Sequence, residues 1–503
     1  MVAYDFQGAL PVPLSMSKNL GCLVQDSHHL IEETILPKLQ PLGIKQLHSF
    51  QTQAIESILT KQDTLVIAPT SGGKSMCYVG PALCGDGLVL VISPLIALMR
   101  DQMRSLQSAG IAAAVIDSQQ SPDEKRSVMG QLMSGKLKLL FVSPERLALP
   151  SFRNFLSGLK VSLVAIDEAH CVNQWGMDFR PEYARIASYL RDFYQGPKLA
   201  LTATATAQDR SKIMELLDLS DANIVLNSSK RSNLSLKFVR SKNQVDHLNA
   251  ILQSTLSAQG NGIIYAATRK QCEQICEMLV NGGVEASVYH AGLSSDRRES
   301  VYQSFMNKRC RVIVATKAFG MGINKKDIRF VFHGSLPDSI ETYCQEIGRA
   351  GRDGLDARCY LFFISRDYHI QKFMIEKSFP KQDIVWAAHH LVTEFFSFSS
   401  TVSEPELSEQ LISQCGISGT ESEHVISFFQ REGVLKRVEL VRDSWHNAGV
   451  DFVLGLNKVG PTLSELCAKM EFMQEEKISK LKSMYELAKS ENAPESRIEE
   501  YFS

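Results

Sequence analysis

The chain has 503 residues, more than a single hydrophobic core accommodates, so several domains are expected. Its 44% hydrophobic and 22% charged content is that of an ordinary globular protein. The net charge of −1 excludes an overall basic field for nucleic acid, so any such surface is local.

The first 41 residues read as a helical lead-in, with acidic Asp5 and no basic-then-apolar export signal. No apolar run reaches membrane-spanning length. The 11 cysteines are odd in number and never form a CxxC. Cys272 and Cys276 lie one helical turn apart among apolar residues, as buried free thiols of a reducing compartment do. A cytoplasmic protein is expected, nucleoid-associated in a bacterium or nuclear in a eukaryote, with no membrane partner.

Short β-branched runs follow, each bounded by small or turn residues: TLVIAP, GLVLVISP, KLLFVSP, VSLVAIDE and KLALTAT. The series restarts with GIIYAAT, ASVYHAG, RVIVATK, IRFVFHG and ARCYLFF. Amphipathic stretches separate the runs. This alternation predicts two α/β units with parallel sheets, 42–228 and 229–365, joined near Asn227 to Asn233. In such folds ligands bind beyond the carboxyl ends of the strands. After Ser365 the strands stop. Helices are predicted over Ile384 to Phe398, Glu404 to Cys415 and Glu421 to Gly433, then a hairpin around RDSWHNAG. Three helices and a hairpin suggest a winged-helix-like domain over 366–460. A charged helical tail occupies 461–503.

APTSGGKS, Ala68 to Ser75, follows an apolar strand and precedes a helical stretch. Glycines let backbone N–H groups turn inward around phosphate oxygens, and a helix N-terminus adds positive potential. Thr70, Gly72, Gly73, Lys74 and Ser75 are therefore candidate nucleotide ligands. Lys74 is suited to the β and γ phosphates, and the Ser75 hydroxyl to Mg²⁺. Asp167 ends its own apolar strand, where a carboxylate can hold the metal, and Glu168 is placed to accept a proton from water. The second unit supplies QEIGRAGRDG, in which Arg349 and Arg352 lie three apart. Guanidinium groups there can offset charge developing on a γ phosphate. A site split in this way makes hydrolysis a domain motion.

With these motifs in order, the chain resembles RecQ-type DNA helicases of helicase superfamily two. VISPLIALMRDQ, LLFVSPERL, ALTATAT, YHAGL and VIVATKAFGMGINK add to the resemblance, which covers Leu42 to Phe363. It implies two tandem RecA-like domains, ATP with Mg²⁺, and unwinding of DNA with three-prime to five-prime polarity in repair, recombination or replication. CVNQWGMDFRPEY looks like the family's aromatic-rich loop, which senses single-stranded DNA. Trp175 and Phe179 can stack on bases of any sequence, and Arg180 can meet a phosphate or cap the nucleotide site. By position, Gln51 matches the glutamine that reads the adenine edge, with His48 where an arginine is usual. Thr202 and Thr204 match the motif coupling hydrolysis to the DNA track. Gly320, Gly322 and Asn324 match the loop near the γ phosphate.

Two features depart from the family. Met177 replaces a histidine common in the aromatic loop. Many members carry a zinc site of four cysteines, and Ala493 stands at the first of these, with the chain ending at Ser503. No zinc is expected, and the apolar periodicity from Met470 to Leu487 must hold the tail by ordinary packing. Trp445, at the tip of the predicted hairpin, is a candidate cap for a terminal base pair or an anchor against the body. The expected partners are single-stranded and forked or duplex DNA, with a single-strand DNA-binding protein as a candidate and a monomer as the expected state. Two rival readings stand beside unwinding: an RNA helicase, and an ATP-switched DNA-binding scaffold that does not unwind.

Overall fold

A computed structural model describes residues 29–502 except 70–71, 118, 174–181, 220, 228–230, 320–324, 440–451, 458–459 and 491–493. The first lobe is built on a fully parallel sheet. Its strands are β1 (Thr64–Ile67), β2 (Leu88–Ile92), β3 (Ala113–Ile116), β4 (Leu139–Val142), β5 (Val161–Ile166), β6 (Lys198–Thr202) and β7 (Asn223–Leu226), in the order β3-β4-β2-β5-β6-β1-β7. The second lobe repeats the plan. It uses β8 (Leu234–Arg240), β9 (Asn261–Tyr265), β10 (Ala286–Tyr289), β11 (Val312–Ala315), β12 (Ile328–His333) and β13 (Ala357–Phe363), in the order β10-β11-β9-β12-β13-β8.

Both faces of each sheet are covered, because successive strand residues point to opposite sides. In β1, Leu65 and Ile67 join one core cluster and Val66 the other. In β12, Ile328 and Val331 face one cluster, while Phe330 and Phe332 face the other. All ten predicted runs are strands. Three strands were not predicted: β3, β7 and β8, each at the edge of its sheet. β3 reads AAVI, too alanine-rich for a β signal. β7 and β8 are only partly buried; β7 offers just three apolar residues, and β8 alternates apolar with polar ones.

Four helices position the site: α1 (Ser49–Leu59), α2 (Met76–Cys84), α3 (Ala207–Leu216) and α4 (Ile340–Ile347). α5 (Arg366–Ser378) leaves the second lobe. Next come α6 (Gln382–Phe398), α7 (Glu404–Cys415) and α8 (Gly419–Arg431), then an antiparallel hairpin of β14 (Leu435–Glu439) and β15 (Phe452–Leu456). A bridge between Val402 and Leu454 adds a second, shorter pairing to this three-helix-and-hairpin unit.

The tail folds as α9 (Leu463–Lys489) and α10 (Pro494–Phe502). Leu466, Met470, Leu481, Met484 and Leu487 of α9 are buried in a core shared with the second lobe and α6–α8. The tail is therefore held by apolar packing, as the periodicity required. Among the described residues no helix is long and apolar enough to cross a membrane.

Candidate active site

The parallel register places three chemical segments side by side. Ile67 at the end of β1 is level with Thr202 of β6, and Ala200 of β6 is level with Ile166 of β5. The phosphate loop, Thr202 and the acid pair therefore leave the sheet together. The Ala68 N–H donates to the carbonyl of Thr202 at 3.1 Å, which pins the start of the loop.

Gly73 sits at φ +78°, a left-handed conformation that favours glycine. A Cβ there would lie 2.6 Å from Nε2 of Gln51, and a Cβ on Gly72 would lie 3.0 Å from the carbonyl oxygen of Pro69. The loop is thus a cradle that only glycines permit. Lys74 Nζ donates to the carbonyls of Ala68 at 2.9 Å and Pro69 at 3.4 Å. Ser75 stands immediately before α2. Gln51 is buried, and both ends of its amide are engaged. Oε1 accepts from the His48 N–H at 2.7 Å, and Nε2 donates to the Gly73 carbonyl at 2.8 Å. In this arrangement Gln51 fixes the phosphate loop to the start of α1.

Asp167 follows β5. Its N–H donates to Ile92 O at 2.9 Å, and its carbonyl accepts from the buried Tyr183 hydroxyl at 3.0 Å. Burial pushes the Asp167 carboxyl up to about 7, the Glu168 charge adds to the rise, and Lys74 opposes it. The Glu168 N–H donates to Asp167 Oδ1 at 3.0 Å, and Glu168 itself is held at φ +49°. A non-glycine residue in that region carries strain that its surroundings must impose. Here Tyr183 and the β2 backbone impose it by fixing Asp167.

His170 collects four groups. Nδ1 lies 3.1 Å from Thr202 Oγ1 and 3.3 Å from Glu168 Oε2, and Nε2 lies 3.1 Å from Nε2 of Gln345 and 3.9 Å from Cys171 Sγ. One neutral tautomer satisfies the set: Nδ1–H donates toward Thr202 and Glu168, and Nε2 accepts from the Gln345 amide. Burial supports the neutral ring by lowering its pKa, against the opposing charge of Glu168. Gln345 belongs to the second lobe, so this contact joins the acid pair to the opposite unit. Thr202 is fully buried, and its hydroxyl also donates to Thr204 O at 3.2 Å. Its hydroxyl is thus closed in by His170 and Thr204 inside the first lobe. Thr204 is buried as well and lines a cavity between the lobes.

In the second lobe, α4 carries Gln345 and ends just before Arg349 and Arg352. Arg349 is buried. Burial first, then the neighbouring Arg349 charge, pulls Arg352 down to about 10, while Glu168 across the cleft opposes the shift. The Arg352 guanidinium stays charged at neutral pH. The turn that bears them is held from the interlobe linker. Arg231 donates to the carbonyl of Gly348 at 3.4 Å and to that of Gly351, and Asn233 donates to Gly351 O at 3.0 Å. Gly351 sits at φ +55°, and a Cβ there would meet Asn233 Nδ2 at 2.5 Å. His170 and Arg231 were not among the predicted site residues. The histidine was visible within the DEAH motif, but a linker arginine carries no motif.

Thr70, Trp175, Phe179, Arg180, Gly320, Gly322, Asn324, Trp445 and Ala493 lie outside the described residues. Asn173, the last described residue before 174–181, donates from Nδ2 to Asp209 Oδ1 at 3.3 Å.

Two family models match: DEAD/DEAH box helicase over residues 48–213 and helicase conserved C-terminal domain over residues 243–354. The chain is 45% identical over 356 residues to ATP-dependent DNA helicase RecQ of Pasteurella multocida, spanning 70% of this chain and 56% of that protein. It is 44% identical over 338 residues to the RecQ helicase of Bacillus subtilis, spanning 67% of this chain and 57% of the relative. The chain thus spans little more than half the length of these relatives. A shorter relative from B. subtilis, named RecS, is 38% identical over 339 residues, spanning 67% of this chain and 68% of that protein.

Among solved structures, the helicase Lhr of Mycobacterium smegmatis aligns with a TM-score of 0.52 at 19% identity, covering 92% of this chain and 61% of that one. The DUF1998 helicase MrfA aligns with a TM-score of 0.54 at 17% identity, covering 86% of this chain and 60% of that one. At those identities the likeness is one of fold. The motifs, the two parallel-sheet lobes and the identity to RecS over two thirds of both chains agree: the chain belongs to the RecQ family of DEAD/DEAH-box helicases.

Proposed function

We propose that the chain is an ATP-dependent DNA helicase that translocates on single-stranded DNA. It unwinds duplex with three-prime to five-prime polarity in DNA repair, recombination or replication. The observation that carries this reading is the hydrogen bond between Gln345 and His170, which ties the acid pair of one lobe to the helix that leads into Arg349 and Arg352 of the other. The names of the RecQ relatives, all ATP-dependent DNA helicases, support the choice of DNA and ATP.

The residues fit a nucleotide with a hard divalent cation. The Gly72–Gly73 cradle has no room for side chains, and the donor set beside it, a hydroxyl and a desolvated carboxylate, consists of oxygen ligands. When bound, Mg²⁺-ATP supplies the scissile phosphoanhydride and a cation that offsets its charge. Thr70, Gly72, Gly73 and Lys74 hold phosphate oxygens, and Ser75 and Asp167 hold the cation. Glu168 takes the proton of the attacking water, and Arg349 and Arg352 offset charge on the γ phosphate. Gly320, Gly322 and Asn324, by their match to the family's motif, serve the γ phosphate from the second lobe. Gln51 orients the loop against the adenine end.

In this reading Trp175, Phe179 and Arg180 meet single-stranded DNA, and Thr202 and Thr204 relay its presence to the acid pair. Replacing Trp175 by Ala is expected to lower DNA-stimulated hydrolysis by at least about tenfold with ATP binding retained, since a stacked base contributes roughly 1–3 kcal/mol. Unchanged stimulation ends that role.

A strand-displacement assay on a forked duplex with a three-prime tail tests the whole reading. Displacement with ATP, its absence on a five-prime tail, and stimulation of hydrolysis by single-stranded DNA but not RNA are the expected results. Stimulation by RNA alone favours an RNA helicase. Hydrolysis without displacement favours an ATP-switched scaffold. Affinity for DNA is expected to fall steeply with salt, because backbone contacts dominate non-specific binding.

A further inference from the structure

The tail helix α9 turns two faces to the body. One is buried with the second lobe, as described above. The other presents Phe472, Glu476 and Lys480, spaced four apart and hence stacked along one side, to α3 of the first lobe. Lys212 of α3 pairs with Glu476 at 2.6 Å and lies over the Phe472 ring at 5.3 Å. α10 adds the carbonyl of Phe502, which accepts from Arg210 at 3.3 Å. The tail therefore spans the crevice between the lobes, and it walls a cavity of about 330 Å³ that His170, Thr204, Gln345 and Arg349 also line.

Lys480 is the point where the three bodies meet. Its ammonium lies 2.9 and 3.2 Å from the two carboxylate oxygens of Asp209 in the first lobe, and 2.9 Å from Oε1 of Glu341 in the second. All three side chains are mostly shielded from solvent. Asp209 caps α3 by accepting from the N–H and hydroxyl of Thr206, and it accepts from Asn173 at the base of the aromatic-loop sequence. Glu341 opens α4, the helix that carries Gln345 and leads into Arg349, and it also accepts from the Tyr501 hydroxyl at 3.1 Å. One ammonium thus neutralises two carboxylates that approach from opposite lobes. Without it they repel in a poorly screened setting, and the crevice is pushed apart.

We infer that Lys480 is a positioning residue for DNA-stimulated ATP hydrolysis: it holds the Asn173–Asp209 end of the first lobe against α4, the helix that leads into Arg349 and Arg352. The tail thereby acts as a third element in closing the crevice. The inference rests on the proposed helicase reading and extends it to a region where the sequence carries no helicase motif.

The test is steady-state ATP hydrolysis by the full chain with saturating single-stranded oligonucleotide, with thermal unfolding measured alongside. Lys480→Met is expected to lower kcat by about tenfold with KM for ATP little changed and the chain still folded at the assay temperature, because a small misplacement of catalytic groups is costly in rate. Lys480→Arg, which keeps the charge, restores most of the rate. Glu341→Gln combined with Lys480→Met also restores most of it, since it removes the repulsion instead of the cation. Such a rescue measures the coupling directly. Lys212→Met, which removes a tail contact confined to the first lobe, has little effect.

Wild-type kcat in Lys480→Met overturns the inference, as does a loss that Glu341→Gln fails to relieve. A wild-type chain without DNA-stimulated hydrolysis sinks the helicase reading instead, and this inference with it.

Discussion

Replacing Glu168 by Gln is expected to lower DNA-stimulated ATP hydrolysis by about a thousandfold while ATP still binds, the range found for loss of a positioned general base. The substitution keeps size and shape and removes only the basicity. The residue stands at φ +49°, its N–H bonded to Asp167 and its carboxylate 3.3 Å from His170. Glutamine can make the same contacts at the same backbone cost, so the loss isolates proton transfer. Turnover with single-stranded DNA and binding of a fluorescent ATP analogue are the two measurements. A loss below about tenfold reassigns the base, because general bases ordinarily contribute at least a hundredfold.

Arg352→Ala is the second large effect. Arginines that offset γ-phosphate charge contribute roughly a thousandfold or more to turnover, and a loss of that order is expected here. Burial and the adjacent Arg349 lower the Arg352 pKa to about 10, so the Arg352 cation persists at neutral pH, and it feels the charge of Glu168 across the cleft. Their turn is braced by Arg231 and Asn233 and passes through Gly351 at φ +55°. Arg231 and Asn233 brace the turn without the Arg352 side chain, whose own bond to the Gly348 carbonyl is long at 3.5 Å, so the variant is expected to fold normally, as thermal unfolding would show. Arg352→Lys is expected to recover little, since an ammonium lacks the planar fork. Full turnover in either variant removes Arg352 from the site.

The candidate site segments were legible in the sequence because each is local. Phosphate loops and acid pairs sit at the ends of strands buried on both faces, and such strands read as unbroken apolar runs. That is why TLVIAP and VSLVAI led directly to Lys74 and Asp167. The predicted helices 384–398, 404–415 and 421–433 correspond to α6, α7 and α8 within two residues at each end, because amphipathic periodicity marks long helices well. Edge strands failed the same test. β7 and β8 lie half in solvent, and β3 is half alanine.

The sequence by itself determined the chemistry: which residues can cradle phosphate, hold a cation or donate a guanidinium, and the order in which two parallel units present them. Tertiary structure alone decided which of these groups meet. His170 and Gln345 are 175 positions apart, and Lys480 and Asp209 are 271 apart. Nothing in the local pattern of a histidine, a glutamine or a tail lysine marks its partner, since charged and amide side chains are equally at home in water. Only when two lobes and the tail exclude that water does each have to find a specific neighbour. That pairing enclosed Thr202, tied Gln51 to the phosphate loop and set Lys480 between two carboxylates.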